Sequence, residues 1–227
     1  MTLSIDTLKA HIADIQHSHL ASSHTASILA VSKNQPIDKI IALAAQGQRT
    51  FGENYVQEAL QKIIALHDLQ LEWHFIGALQ SNKCQDVAKH FDWVESVDRL
   101  KLIPLLNQYR PTQLAPLNVL IQVKIDNEIS KSGAHISHVP QLCTSVSQQP
   151  HLKLRGLMCI PAPIHTEETQ RHKFKTMRLL FDQLRTIFAS IDTLSMGMSD
   201  DYELAIAEGA TQIRLGTLLF GTRSPAR

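Results

Sequence analysis

Asn118-Val119-Leu120-Ile121-Gln122-Val123-Lys124-Ile125 is an almost continuous apolar run, and Leu152-Lys153-Leu154-Arg155-Gly156-Leu157-Met158 is a second. Runs this short and this apolar read as strands buried on both faces. Between them, residues 139–147 carry apolar side chains at helical spacing. A strand, a helix and a further strand argue for parallel pairing through a right-handed crossover.

Working outward, the same unit recurs. Leu3, Leu8, Ile12 and Ile15 give an opening helix at about 3.6-residue spacing. Strands are then predicted at 28–32, 50–51, 72–76, 93–95, 118–125, 152–158, 192–194 and 212–215. Helices are predicted at 36–46, 54–66, 81–89, 98–108, 139–147, 168–187 and 200–208, and a short apolar segment closes the chain. Pro36 near a helix start and Gly47 at its end fit this reading, whereas Pro104 within 98–108 objects to it. Eight such units predict one (β/α)8 TIM-type barrel with an extra N-terminal helix, a single domain over residues 1–227. The rival, an open doubly wound sheet, lacks a dinucleotide fingerprint after the first strand.

Composition removes several function classes. The net charge is +1 and the aromatic content 5%, with basic residues scattered, so no nucleic-acid face is expected. No apolar run approaches a membrane span, and the segment from Met1 to Asp6 lacks the regions of a signal peptide. Cys84, Cys143 and Cys159 show no C-x-x-C spacing and read as free thiols of a reducing, cytoplasmic compartment. Twelve histidines include no H-E-x-x-H, and His135 and His138 lack a companion ligand set, so no metal is expected.

In a parallel barrel the ligand sits at the C-terminal mouth, so residues just after each strand come first. Ser195-Met196-Gly197-Met198-Ser199-Asp200 follows the seventh strand and Gly216-Thr217 the eighth. Loops at these two places form the recurrent phosphate site of this fold, although Ser199-Asp200 also reads as a helix cap. Lys33 ends the run 28–32. A lysine drawn partly into an apolar environment loses charge and can condense with an aldehyde. Lys124 sits in a similar run, and spacing does not choose between them; Lys83 and Lys131 read as solvated. Arg214 lies between Ile213 and Leu215, so alternation sends it to the opposite face from them. If that face is the barrel interior near the mouth, a permanent charge waits there for an acceptor; the other reading is an ion pair with a carboxylate such as Glu53 or Asp126. Asn54 reads as a helix cap that also reaches the ligand edge, and His74 as a hydrogen-bonded core residue.

The chain also resembles a known family. Ala30-Val31-Ser32-Lys33, Phe51-Gly52-Glu53-Asn54-Tyr55-Val56-Gln57-Glu58, Trp73-His74-Phe75-Ile76-Gly77 and Leu79-Gln80-Ser81-Asn82-Lys83 are similar to the YggS/PROSC family of pyridoxal phosphate homeostasis proteins. So are Ser130-Lys131-Ser132-Gly133, Arg155-Gly156-Leu157-Met158, Met177-Arg178 with Leu180-Phe181-Asp182, the segment 194–201, and Arg214-Leu215-Gly216-Thr217 with Phe220-Gly221. The resemblance runs in order along nearly the whole chain. It implies an alanine-racemase-like barrel with pyridoxal 5′-phosphate on Lys33, phosphate contacts from Ser195, Gly216 and Thr217, Asn54 close to the cofactor, and Arg214 facing the ring nitrogen. Ala78, Cys159 and Pro104 depart from the family's usual residues, and none is among these contacts.

Three function classes follow. The first is a carrier that holds the cofactor as a Schiff base and serves vitamin B6 and amino-acid homeostasis, passing it to apo-enzymes without turnover. The second is a racemase or lyase of small amino acids, and the third a Schiff-base aldolase. A two-base racemase needs a second acid–base group, which the racemases of this barrel type take from an extra domain and a dimer partner. Here the sequence stops after the eighth unit, and Tyr55, Tyr109 and Tyr202 have no evident claim to that role. The expectation is therefore a monomeric carrier.

Overall fold

The structure, a computed structural model, describes residues 4–19, 25–126, 132–162 and 166–221. Eight strands form the sheet: β1 (Ser27–Val31), β2 (Thr50–Glu53), β3 (Glu72–Phe75), β4 (Trp93–Val97), β5 (Leu117–Gln122), β6 (Leu152–Met158), β7 (Thr193–Ser195) and β8 (Gln212–Leu215). They pair in chain order, all parallel, and β8 closes on β1. The helices are α1 (Ile5–His19), α2 (Ile37–Ala45), α3 (Val56–Ala65), α4 (Cys84–His90), α5 (Leu102–Tyr109), α6 (Val139–Ser147), α7 (Glu167–Arg185), α8 (Tyr202–Ala207) and α9 (Thr217–Phe220). The closed barrel read from the sequence is the one that forms.

Period-2 alternation divides the apolar residues into two layers. Ala30, Phe51, Trp73, Phe75, Val94, Val119, Ile121, Leu157, Ile213 and Leu215 pack outward with the buried faces of the helices. Trp93, Leu120 and Met158 form a separate cluster inside the barrel. Ile5, Leu8 and Ile12 bury one face of α1, which lies against α8; Leu3 lies outside the described residues.

Several boundaries differ from expectation for local reasons. Pro104 is the third residue of α5, in the first turn, where backbone N–H groups have no intrahelical acceptor to lose. β2 runs on to Glu53, and α3 starts at Val56 with Tyr55 at the cap position. Asn54 is therefore not the cap. α8 starts at Tyr202 after Asp201, so Ser199-Asp200 does not cap it either. Instead Asp201 accepts from the Met198 N–H (2.6 Å) and the Gln170 amide (2.7 Å). No helix among the described residues is long and apolar enough to cross a membrane.

Candidate functional site

At the C-terminal mouth a cleft of about 220 Å³ is lined by Lys33, Asn54, Arg214, Gly216 and Thr217, together with Ser199. Small-molecule pockets commonly run from roughly 300 to 1,000 Å³, so this one, smaller than that, has room for a compact ligand and none for a dinucleotide. A larger cavity of about 730 Å³ opens between α1, α7 and α8 and shares only Met198, Ser199 and Asp200 with the cleft. Neither a lysine nor Arg214 lines it, so the residues expected to hold a ligand converge on the smaller space.

Lys33 sits in the turn just after β1, half-buried. Leu29 and Val31 face the barrel interior, so Lys33, two positions on, continues the inward row. The turn is clamped from the helix side. The Ser32 hydroxyl donates to Glu53 Oε1 (2.6 Å), and Lys62 Nζ donates to the Ser32 carbonyl (2.7 Å), to Glu53 Oε1 (2.7 Å) and to Glu58 Oε1 (2.6 Å). The Asn34 N–H donates to Glu58 Oε1 (2.6 Å). Asn34 has φ 57°, a left-handed conformation that asparagine tolerates better than most residues. Both neighbours of Lys33 are thus tied to α3. Lys62 and Glu53 are fully buried, and burial pushes the Glu53 carboxyl above its ordinary value despite Lys62 and Ser32.

Asn54 forms the next wall. Its Oδ1 is buried without a hydrogen-bond partner among the described residues, a condition expected of a ligand-facing acceptor. Its backbone is held where it is by Gly77, whose added Cβ would stand 2.1 Å from the Asn54 carbonyl oxygen. Gly197 serves the loop after β7 in the same way: φ is +92°, and a Cβ there would meet the Ala205 Cβ at 2.5 Å.

Arg214 lies on the floor, 3% exposed. It is not paired with Glu53 or Asp126: Glu53 binds Lys62 on the outer face of the sheet, and Asp126 pairs with Lys173 and accepts from the Ala162 N–H (2.5 Å). Its own partners are the Ser195 hydroxyl and the Cys159 carbonyl, each 2.7 Å away. Ser195 itself is absent from the cleft lining. Its side chain points into the barrel, donates to Glu95 Oε2 (2.7 Å) and accepts from Gln212 (3.2 Å) and Arg214. The residues of that segment which line the cleft are Met198, Ser199 and Asp200, and Ser199 is the hydroxyl among them. Lys124, half-buried after β5, does not line the cleft; Lys83 is half-buried in a short 3-10 turn, and Lys131 lies outside the described residues.

Beneath the floor runs a polar chain of which sequence reading identifies only His74, as the hydrogen-bonded core residue that it is; it misses Glu95, Gln212 and Glu72. His74 is buried, stacked on Trp93 (4.9 Å between rings, 7° between planes), with Nδ1 2.7 Å from Glu95 Oε1 and Nε2 3.0 Å from Glu72. Burial opposes charge on His74, but the two carboxylates outweigh it and its pKa is raised. Burial likewise opposes charge on Glu95, yet His74, Arg214 and Ser195 hold it below the ordinary carboxylate value. The signs fix a pH window. Stability from His74 is full below its ordinary 6.5 and is lost as pH rises through the raised value. Stability from Glu95 is present above 4.5 and is lost as pH falls through the lowered value. Thermal melts of His74→Gln are therefore expected to show a larger loss relative to wild type at about pH 6 than at about pH 8.5; equal losses at both would contradict the charged pair.

Among the described residues no group of three or more His, Cys, Asp or Glu side chains is placed to hold a metal ion. Cys84, Cys143 and Cys159 are buried and unpaired; burial pushes their thiols up to about 11, 12 and 12, so they are protonated and poor nucleophiles.

Residues 3–224 match the family profile described as alanine racemase, N-terminal domain. The chain is 50% identical over 200 residues to the pyridoxal phosphate homeostasis protein of Escherichia coli K12, covering 87% of this chain and 86% of that one. It superposes on PipY of Synechococcus elongatus PCC7942 solved without PLP (TM-score 0.82, 39% identity, 92% of this chain and 100% of that chain). The match to PipY with PLP bound has TM-score 0.77 and 38% identity, over 93% and 99%. Alanine racemase from Corynebacterium glutamicum shares the fold at 15% identity (TM-score 0.67), this chain covering 63% of it and aligning over 99% of its own length.

Proposed function

We propose, for a chain that belongs to the alanine racemase N-terminal-domain family and to the pyridoxal phosphate homeostasis proteins within it, that it binds pyridoxal 5′-phosphate in the cleft at the barrel mouth and carries it without turnover. The observation that carries the reading is convergence: an amine, a buried guanidinium, an unpartnered amide oxygen and the loops after β7 and β8 share one small cleft. These groups fit an aromatic aldehyde phosphate. When bound, the cofactor supplies an electrophilic aldehyde and an electron-withdrawing ring.

The residues take separate tasks. Lys33 offers the amine that holds the aldehyde as a Schiff base, with its turn fixed by Ser32, Lys62 and Glu58. Arg214 presents a permanent cation to the ring nitrogen, and a cation there disfavours ring protonation and blunts carbanion chemistry. Gly216, Thr217 and Ser199 serve the phosphate; Ser195 acts behind them, through Arg214. Asn54 orients the ring edge.

Carriage is favoured over racemisation because no tyrosine among the described residues lines the cleft beside Lys33, and the acid that does, Asp200, is exposed. None of Tyr55, Tyr109 and Tyr202 lines the cleft, and burial with Glu203 beside it raises the Tyr202 phenol to about 12. The reading also includes a monomer acting as one unit over residues 1–227, a cytoplasmic site of action, and apo-enzymes as recipients of the cofactor. Incubating the loaded protein with L-alanine in D2O tests turnover: the α-proton should persist over hours. Deuterium incorporation with inverted product at enzymatic rates would overturn the carrier role.

A further inference from the structure

We propose that Glu95 is a positioning residue for Arg214: acting through Ser195, it holds the guanidinium on the cleft floor and balances its charge. The inference rests on the cofactor-binding reading above.

Hydrogen-bond direction supplies the argument. A guanidinium only donates, so Ser195 must accept from Arg214 at 2.7 Å. Gln212 Nε2 also donates to the Ser195 oxygen, at 3.2 Å. The serine proton has one acceptor left, Glu95 Oε2 at 2.7 Å. The other carboxylate oxygen accepts from His74 Nδ1 (2.7 Å) and from Gln212 Nε2 (2.6 Å). His74, held between the Glu72 and Glu95 carboxylates, donates from both nitrogens in its charged form; every neighbour of Glu95 then donates, and a protonated carboxyl would have no acceptor for its hydrogen. The carboxylate is the form this cage fits. It stands one hydroxyl away from the Arg214 cation on the cleft floor, with both residues almost wholly buried, where charges act strongly on each other.

The ionisable groups on the surrounding elements are few. Glu95 faces His74 and, beyond it, Glu72 on β3, and Arg214 on β8. Arg155 of β6 stacks over Trp93 at 4.4 Å and pairs with Asp192 at 2.8 Å. Removing the Glu95 charge leaves Arg214 uncompensated beside the bound ring, so a protonated nitrogen on the bound chromophore becomes less favourable.

The test is a pH titration of the yellow chromophore of the loaded full-length protein, in wild type, Glu95→Gln, Glu95→Asp and Ser195→Ala. The isosteric Glu95→Gln should lower the titration midpoint by about half a pH unit or more. Glu95→Asp should restore most of it, and Ser195→Ala, which keeps the Glu95 charge but loosens Arg214 from the cleft floor, should raise the midpoint instead. A stability defect alone moves melting temperature and leaves the midpoint in place. If Glu95→Gln does not fold, Ser195→Ala carries the decision. An unchanged midpoint in a variant whose Lys33 still takes up the cofactor overturns the role of Glu95 and leaves the binding site standing; a wild type that forms no chromophore removes both.

Discussion

A Lys33→Ala variant mixed with pyridoxal phosphate is expected to stay colourless and to bind the cofactor at least about a hundredfold more weakly, because the covalent tether goes while the noncovalent contacts remain. The fold should survive. Lys33 is half-buried in a turn and contributes nothing to the apolar layers, so the melting temperature should stay within a few degrees of wild type. Lys124→Ala, made in parallel, should keep the colour. Absorption spectroscopy separates the two lysines directly: a yellow Lys33→Ala protein would remove the tether from its assigned place.

The second large effect concerns stability. Lys62 holds Glu53, Glu58 and the Ser32 carbonyl at 2.6–2.7 Å from a site that is 4% exposed. Truncation to Met keeps the apolar stem and strands a fully buried carboxylate, and breaking a buried pair on one side costs about 3–5 kcal/mol. Burial already favours the protonated form of Glu53, so the variant's folded state should take up a proton there. Its deficit in urea denaturation should therefore narrow as pH is lowered toward about 5. A loss below about 1 kcal/mol, with no dependence on pH, would mean that the clamp holds little of the mouth in place.

The fold was legible because parallel barrel strands leave a strong local trace. The apolar runs at 118–125 and 152–158 and the helix between them correspond to β5, α6 and β6, two of them with matching ends. What blurred was the polar end of each strand. Thr50-Phe51 reads as two residues because Gly52 and Glu53 break an apolar run, yet Glu53 belongs to β2 and turns outward to meet Lys62. Asn54 reads as a cap because asparagine commonly is one; here its side chain goes to the cleft.

The site was legible in its members more than in their roles. Lys33 and Lys124 both end apolar runs, and only closure of β1 onto β8 brings one of them beside Arg214. Ser195 and Ser199 share one loop motif, but Ser195 ends β7 with its side chain inside the barrel, whereas Ser199 lies in the loop beyond, at the cleft. Lys62 looks like a surface partner of Glu58 four residues earlier, since its ties to Ser32 and Glu53 cross 30 and 9 residues of chain. Glu95 did carry a signal, a carboxylate two positions from Trp93 on an inward-facing row. Its partners lie 21 residues away on β3 and 100 or more away on β7 and β8, beyond the reach of any local pattern.

Borohydride reduction of the protein loaded with pyridoxal phosphate, followed by peptide mass mapping, bears most directly on the central claim. One pyridoxyl group on Lys33 is the expected result. A pyridoxyl group on Lys124, or no fixed mass on any lysine, would contradict it.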